Sequence, residues 1–214
     1  MVKTSINDDS KGQLFEKVAA IAATFGSPAR LKILYILAQA PRSVDSVAQM
    51  TGESIANTSQ HLQKLLHEGI VCVSKQKLSR VYRLSNEVIA LLIEDLFDLT
   101  EKLSPGVGAE IDKTVTLASI ADDLQSKRAF LLDVREEIET GHSPVEGAIA
   151  LPIQILKEKA KTLHKNKTYY IVCRGRACEL ATEGVRILRS LGFKAFRLKE
   201  SPSALRQKSK LTLA

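Results

Sequence analysis

Cysteine is scarce in this chain. Among 214 residues there are only Cys72, Cys173 and Cys178, too few for a disulfide scaffold. The close pair Cys173 and Cys178 therefore points to redox, sulfur or metal chemistry. Long apolar runs are also missing: even the longest, such as Val88 to Ile93, fall far short of the roughly 18 to 20 residues that a membrane span needs. The first residues, MVKTSINDDSKGQ, contain no signal-peptide apolar core. A cytoplasmic protein without a membrane partner is expected. No internal repeat or low-complexity tract is visible, which excludes solenoids. A composition of 44% hydrophobic and 26% charged residues excludes disorder along the whole length.

The net charge of +7 suggests a nucleic-acid partner only if it is focused. Residues 1–102 carry 12 basic and 11 acidic side chains, so the excess lies in the second half. Within the first half, Ser54 to Ser85 holds Lys64, Lys75, Lys77, Arg80 and Arg83 against Glu68 alone. That local concentration is the informative one. The basic tail from Lys194 to Ala214 reads as a solvated, partly disordered end.

Periodicity changes near the middle, from helices with one hairpin to strands alternating with helices, which argues for two domains. Breakers concentrate at Leu103-Ser104-Pro105-Gly106-Val107-Gly108, placing a first domain at 1–103, a linker at 104–113 and a second domain at 114–214. In the first, Leu14 to Phe25 is a helix, and Ser27-Pro28 caps and opens a second. Ser43 caps a short helix ending at Met50, and Ser54 caps another running to about His67 and stopped by Gly69. Two short helices around a glycine turn make a helix-turn-helix. Strands Ile70 to Ser74 and Val81 to Leu84, with a polar turn from Lys75 to Arg80, add a wing. A helix capped by Asn86 is apolar on so much of its circumference that a homodimer interface is expected.

On the Ser54 helix, helical spacing puts Ile55, Ser59, Leu62 and Leu66 on one buried face and turns Asn57, Thr58, His61 and Lys64 outward. Polar side chains there can reach base edges in a major groove, while Lys64, Lys75, Lys77 and Arg80 neutralise phosphates. Cys72, alone in an apolar strand, reads as a buried core residue. The stretch from Phe25 to Ser85 resembles the ArsR-type winged-helix repressors. The likeness rests on Ser27-Pro28 with Arg30-Leu31 and Ile33-Leu34, on Ser59-Gln60-His61-Leu62, and on Gly69-Ile70-Val71. It implies a homodimer packed through its first and last helices on a double-stranded DNA operator, with Ser54, Asn57, Thr58, Gln60, His61 and Lys64 reading it. Metal-sensing members of that family carry cysteines or histidines on the helix before the turn. This chain has Ser43-Val44-Asp45-Ser46-Val47-Ala48 there, so no metal is expected.

In the second half, a helix from Leu117 to Gln125 precedes the strand Ala129 to Val134. The strand Tyr169 to Val172 runs into Cys173-Arg174-Gly175-Arg176-Ala177-Cys178 and then into the helix Glu179 to Leu191. A strand-to-helix loop turns backbone N–H groups inward, so a thiolate or anion there is stabilised by the helix dipole and by Arg174 and Arg176. Cys173 is the expected thiolate of lowered pKa. The position six residues on, where cysteine phosphatases place an arginine, is Glu179, so phosphate-ester hydrolysis is disfavoured. Together with Leu131-Leu132-Asp133-Val134-Arg135-Glu136, Gly141-His142 and the segment Leu188 to Leu198, the loop resembles the rhodanese fold. This implies a sulfur carried on Cys173, with Arg174 and Arg176 contacting the substrate anion. The chain departs from the rhodanese pattern at Ser143 to Gly147, at Lys199 to Leu205, and in having Cys178, a second sulfur that could resolve a Cys173 persulfide.

The fold class expected is thus an α+β winged helix-turn-helix followed by an α/β rhodanese-like domain with a mainly parallel sheet. The function expected is a DNA-binding regulator that carries or senses reactive sulfur from a donor such as thiosulfate or polysulfide, without a cofactor. Two other readings stand beside it: a sulfurtransferase whose winged helix only targets or dimerises it, and a thiol sensor of arsenite or another soft metal. The expected route from cysteine state to DNA is a change in packing near the helix Asn86 to Lys102.

Overall fold

The structure, a computed structural model, describes residues 9–76, 79–107 and 114–212. It forms two compact units, 1–90 and 91–214. In the first, α1 (Asp9–Phe25) is followed by α2 (Pro28–Leu37), β1 (Arg42–Ser43), α3 (Val44–Thr51), α4 (Ile55–His67), β2 (Val71–Gln76) and β3 (Ser79–Leu84). The helix starts follow local chemistry. Ser27, Ser43 and Ser54 each sit in extended backbone and accept a hydrogen bond from the N–H three residues on, satisfying a donor that the first turn leaves unpaired. Gly52, at φ +73, ends α3 in a left-handed conformation that a side chain would strain. Ile33, Leu34, Val47, Leu62 and Leu65 are fully buried where α2, α3 and α4 meet. Each such side chain contributes about 1.5–3 kcal/mol through lost apolar surface.

The wing is longer than the sequence suggests. β2 and β3 pair antiparallel from Val71 opposite Leu84 to Gln76 opposite Ser79, so Lys75 and Arg80 face each other inside the ladder rather than in a turn. Both faces of this ribbon meet solvent, and backbone hydrogen bonds hold it, so its polar residues are not turn markers. β1 adds a third strand, with Arg42 opposite Tyr82.

Helix α5 (Glu87–Leu103) crosses from the first unit into the second. Of the expected linker 104–113, residues 108–113 lie outside the described residues. The second unit continues with β4 (Thr114–Val115), α6 (Leu117–Gln125), β5 (Ala129–Asp133), α7 (Glu137–His142), β6 (Ala148–Ala150), α8 (Ile153–Lys159), a 3-10 turn (Ala160–Thr162), β7 (Thr168–Val172), α9 (Leu180–Ser190), β8 (Lys194–Leu198) and α10 (Pro202–Thr212). Its five strands are all parallel, in the order β4-β8-β7-β5-β6. Parallel neighbours require crossovers, which the intervening helices supply. Leu131, Tyr170, Val172 and Leu198 pack with Ile120 and Leu205 in one cluster. Gly184 lets α9 lie close on β7, since a Cβ there would come within 3.3 Å of Ile171 Cγ2. Over residues 194–207 the basic tail is not a solvated end: Leu198 and Leu205 are core residues, because its charges alternate with apolar positions; residues 213–214 lie outside the described residues. From β5 the chain proceeds to β6 on one side and then to β7 on the other. The carboxyl ends of β5 and β7 therefore form a topological switch point, where open α/β sheets bind ligands. Among the described residues no single helix is long and apolar enough to cross a membrane.

Candidate functional site

The cysteine pair lies at this switch point. Cys173 follows β7 directly and Cys178 stands two residues before α9. Both thiols are buried, at 2% and 5% exposure. Gly175, at φ +119, folds the loop back so that the Cys178 N–H donates to the Gly175 carbonyl at 3.2 Å. The Cys173 thiol faces two carbonyl oxygens, those of Gly175 and Cys178, each at 3.6 Å. It also donates to the Cys178 sulfur, and this bond, with burial, pushes the Cys173 thiol well up. Cys178 is the opposite case. The bond from Cys173, the backbone N–H groups of Leu180 and Arg174, and the Arg174 charge outweigh burial and hold its thiol down at about 6. The expectation of Cys173 as the lowered thiol is therefore corrected. The hydrogen bond to Cys178, together with burial, favours the protonated form of Cys173, whereas that same bond and the amides of Leu180 and Arg174 favour the anion of Cys178.

Neither arginine of the loop points at a free anion position. Arg174 donates to both carboxylate oxygens of the buried Glu139, at 2.7 and 3.0 Å, with Glu136 at 3.6 Å. Arg176 is ion-paired with Asp98 and Glu101 of α5. Each guanidinium, expected as a substrate-anion contact, is matched to carboxylates and so anchors the loop. A third arginine, Arg197 of β8, reaches under the loop and donates to the carbonyls of Gly175 and Arg176 at 3.1 and 3.2 Å, and to Thr182 at 2.8 Å. On the β5 side, Asp133 and Arg135 form a fully buried pair at 2.6 Å, which Ser143 completes by accepting from Arg135. His142 is exposed at the end of α7. Among the described residues no group of three or more His, Cys, Asp or Glu could hold a metal ion.

On α4 the buried face is Thr58, Leu62 and Leu65. Thr58, expected to face outward, is fully buried. Ile55 and Leu66, expected inside, are exposed. Gln60 and Lys64 are exposed and His61 is half-buried, with Lys64 3.6 Å from Glu68. Ser54 is occupied as the cap, and half-buried Asn57 donates to Glu53 at 2.7 Å. The outward face continues through Gln63 and His67, which the sequence reading missed. Lys75 and Arg80 are exposed on the wing, whereas Lys77 lies outside the described residues. Cys72 is half-buried opposite Arg83, not in the core, because the ribbon has no second layer over it.

Residues 27–73 match the arsR family of bacterial regulatory proteins, and residues 116–207 match the rhodanese-like domain. Over 200 residues the chain is 32% identical to the HTH-type transcriptional regulator Rv0324 of Mycobacterium tuberculosis, a match covering 89% of this chain and 87% of that one. The chain belongs to the ArsR family of helix-turn-helix regulators. Its second half is rhodanese-like. This ArsR-family protein is also similar to the HTH-type transcriptional regulator YgaV of Escherichia coli, 32% identical over 82 residues, covering 38% of this chain and 83% of YgaV. Among solved structures, a homodimeric winged helix-turn-helix DNA-binding domain from Mycobacterium bovis is 28% identical and covers 48% of this chain and 92% of its own, at a TM-score of 0.42.

As an ArsR-family transcriptional regulator, the protein holds its sulfur loop with residues that no local motif announced. Glu139, Asp98, Glu101 and Arg197 lie 34, 75, 72 and 24 residues from Cys173 along the chain. Only Arg197 left a signal. It is a charge inside an otherwise apolar strand, Lys194-Ala195-Phe196-Arg197-Leu198, and a buried charge must find partners.

Proposed function

We propose that this regulator binds its DNA as a homodimer and changes its affinity when the pair Cys173 and Cys178 takes up reactive sulfur. One observation carries the reading: two buried thiols, one donating to the other, lie between a strand end and a helix start. The Cys178 thiolate attacks the terminal sulfane sulfur of a polysulfide. A new S–Sγ bond forms, the donor's S–S bond breaks, and the shortened polysulfide leaves as an anion. Cys173 then loses its proton to solvent and attacks Cys178 Sγ, displacing hydrosulfide and closing a disulfide. The donor is the oxidant, and its sulfane sulfur leaves reduced.

A buried pair whose neighbouring arginines are engaged by Glu139, Asp98 and Glu101 suits a stoichiometric sensor better than a turnover enzyme. Dimerisation is supported by apolar rows left open on two helices. On α1 these are Leu14, Phe15 and Val18, and on α5 they are Val88, Leu92, Leu99 and Leu103, the α5 row spaced by four and seven residues as a helix seam requires.

The test combines intact mass with DNA titration on the same polysulfide-treated samples. Wild type is expected to lose two hydrogens in mass as the disulfide closes, Cys173→Ser to keep one added sulfur, and Cys178→Ser to show neither change, since serine is a far weaker nucleophile at neutral pH. DNA affinity should change roughly 5- to 150-fold in wild type and stay constant in the double Cys→Ser variant. Sulfur found on Cys173 in the Cys178→Ser protein would return the attacking role to Cys173. Unchanged affinity in fully modified wild type would reject sensing.

A further inference from the structure

The loop between the two cysteines is fastened at one point that plays no part in holding sulfur. Within the second unit, Glu94, Asp98 and Glu101 recur at intervals of four and three residues and so share one stripe of α5. Each is engaged by the rhodanese-like fold. Ser201 donates to Glu94, whose carboxyl burial pushes up. Arg176 bridges Asp98 and Glu101, and Lys199 approaches Glu101 at 3.4 Å. Arg176 is the only one of these groups on the loop itself, midway between Cys173 and Cys178.

We propose that Arg176 is a latch: by gripping Asp98 and Glu101 it keeps the loop closed over the thiols, and sulfur uptake by the pair opens it. The second clause rests on the sulfur-sensing reading above, whereas the first does not. The argument is steric and electrostatic. The thiols are enclosed by the sheet on one side and by residues 174–177 on the other, and packed interiors do not absorb an added sulfur atom without displacement. β7 is a central strand, paired on both sides, so the loop is what must yield. Arg197 grips the loop through the carbonyls of residues 175 and 176. Those contacts fix its base, while the Arg176 side chain fixes its crest. Lifting the crest separates Arg176 from its two carboxylates, on a helix that runs on, unbroken, through Ala90 back to Glu87. A loop closed by α5 and an α5 restrained by the loop are one coupling seen from its two ends.

The experiment alkylates the reduced full-length protein with iodoacetamide and follows modification of Cys173 and Cys178 by mass. Asp98 and Glu101 are more than half exposed, so the Asp98→Asn, Glu101→Gln protein keeps its helix. It should be alkylated roughly three- to tenfold faster than wild type, the range expected for losing two partly exposed ion pairs. Arg176→Glu should react equally fast, and adding Asp98→Arg and Glu101→Arg to it should restore the slow rate, a rescue that general loosening of the fold would not give. Amide hydrogen exchange across residues 94–103 should rise on polysulfide treatment of wild type and not of the double Cys→Ser protein. Identical alkylation rates in wild type and Asp98→Asn, Glu101→Gln would overturn the latch. Altered alkylation rates together with a DNA affinity blind to polysulfide would keep the latch and discard the sensor.

Discussion

Two thiols joined by one hydrogen bond titrate in opposite directions, and the protein's chemistry at neutral pH follows from which one loses its proton first. The bond between them favours the Cys178 anion, with the amides of Leu180 and Arg174 adding to it, and favours the Cys173 thiol, with burial adding to it. With its thiol held well below the usual range, at about 6, Cys178 is the one of the pair that loses its proton first. The alkylation rate of the native protein should therefore rise with pH through an inflection near 6, measured by mass between pH 5 and 9. In Cys178→Ser that inflection should vanish, leaving only a rise at the alkaline end. The same shift has a sign for stability. A group whose folded pKa is depressed contributes stability that is present above its unfolded pKa and lost as pH falls through the folded value. Wild type should thus gain stability over Cys178→Ser between pH 6 and 9, as read by the difference in Tm. The raised Cys173 acts in the opposite sense, above pH 9. A flat difference across pH 6 to 9 would show that Cys178 is not held as the anion.

Elements were legible where a single residue type carries the physics. Ser27-Pro28, Ser43 and Ser54 marked three helix starts because only a short oxygen-bearing side chain in extended backbone can cap the first turn. The thiol loop was legible because β7 is a continuous apolar run ending in a cysteine. The phase of α4 was not. Ile55 and Leu66 are apolar yet exposed, and Thr58 is polar yet fully buried, so hydrophobicity pointed about a sixth of a turn away from the buried stripe of Thr58, Leu62 and Leu65. The loop's fastenings were illegible for another reason: Arg197, Glu139 and Asp98 meet the loop only after the sheet has assembled. The corrected phase gives a separable pair of outcomes. The Thr58 hydroxyl finds no hydrogen-bond partner among the described residues, so Thr58→Val should keep or raise stability, by up to about 1 kcal/mol, and leave DNA affinity as it was. Gln60→Ala, on the exposed face, should leave Tm unchanged and alter sequence preference in a binding titration. Loss of DNA binding in folded Thr58→Val would restore the outward assignment.

At the scale of the whole molecule, charge has to be counted by place rather than by sum. The net +7 is concentrated after residue 102, yet much of that excess is spent inside the rhodanese-like half, where Arg174, Arg176 and Arg197 hold the loop. On the helix-turn-helix half, Lys75 and Arg80 are exposed and face each other on the wing. Each phosphate neutralised by the protein lowers log K against log salt with a slope of about −0.9 per contact. A homodimer doubles every such contact, so one substitution removes two. Arg80→Ala should therefore flatten the salt dependence of operator binding by about 1.8 in slope, and by only about 0.9 if one chain binds alone. The measurement is a set of titrations from about 50 to 200 mM salt on wild type and Arg80→Ala. An unchanged slope would remove Arg80 from the phosphate backbone. A loss of about 0.9 would keep the wing on DNA and reject the dimer, so a single number separates how this protein touches DNA from how many copies do so.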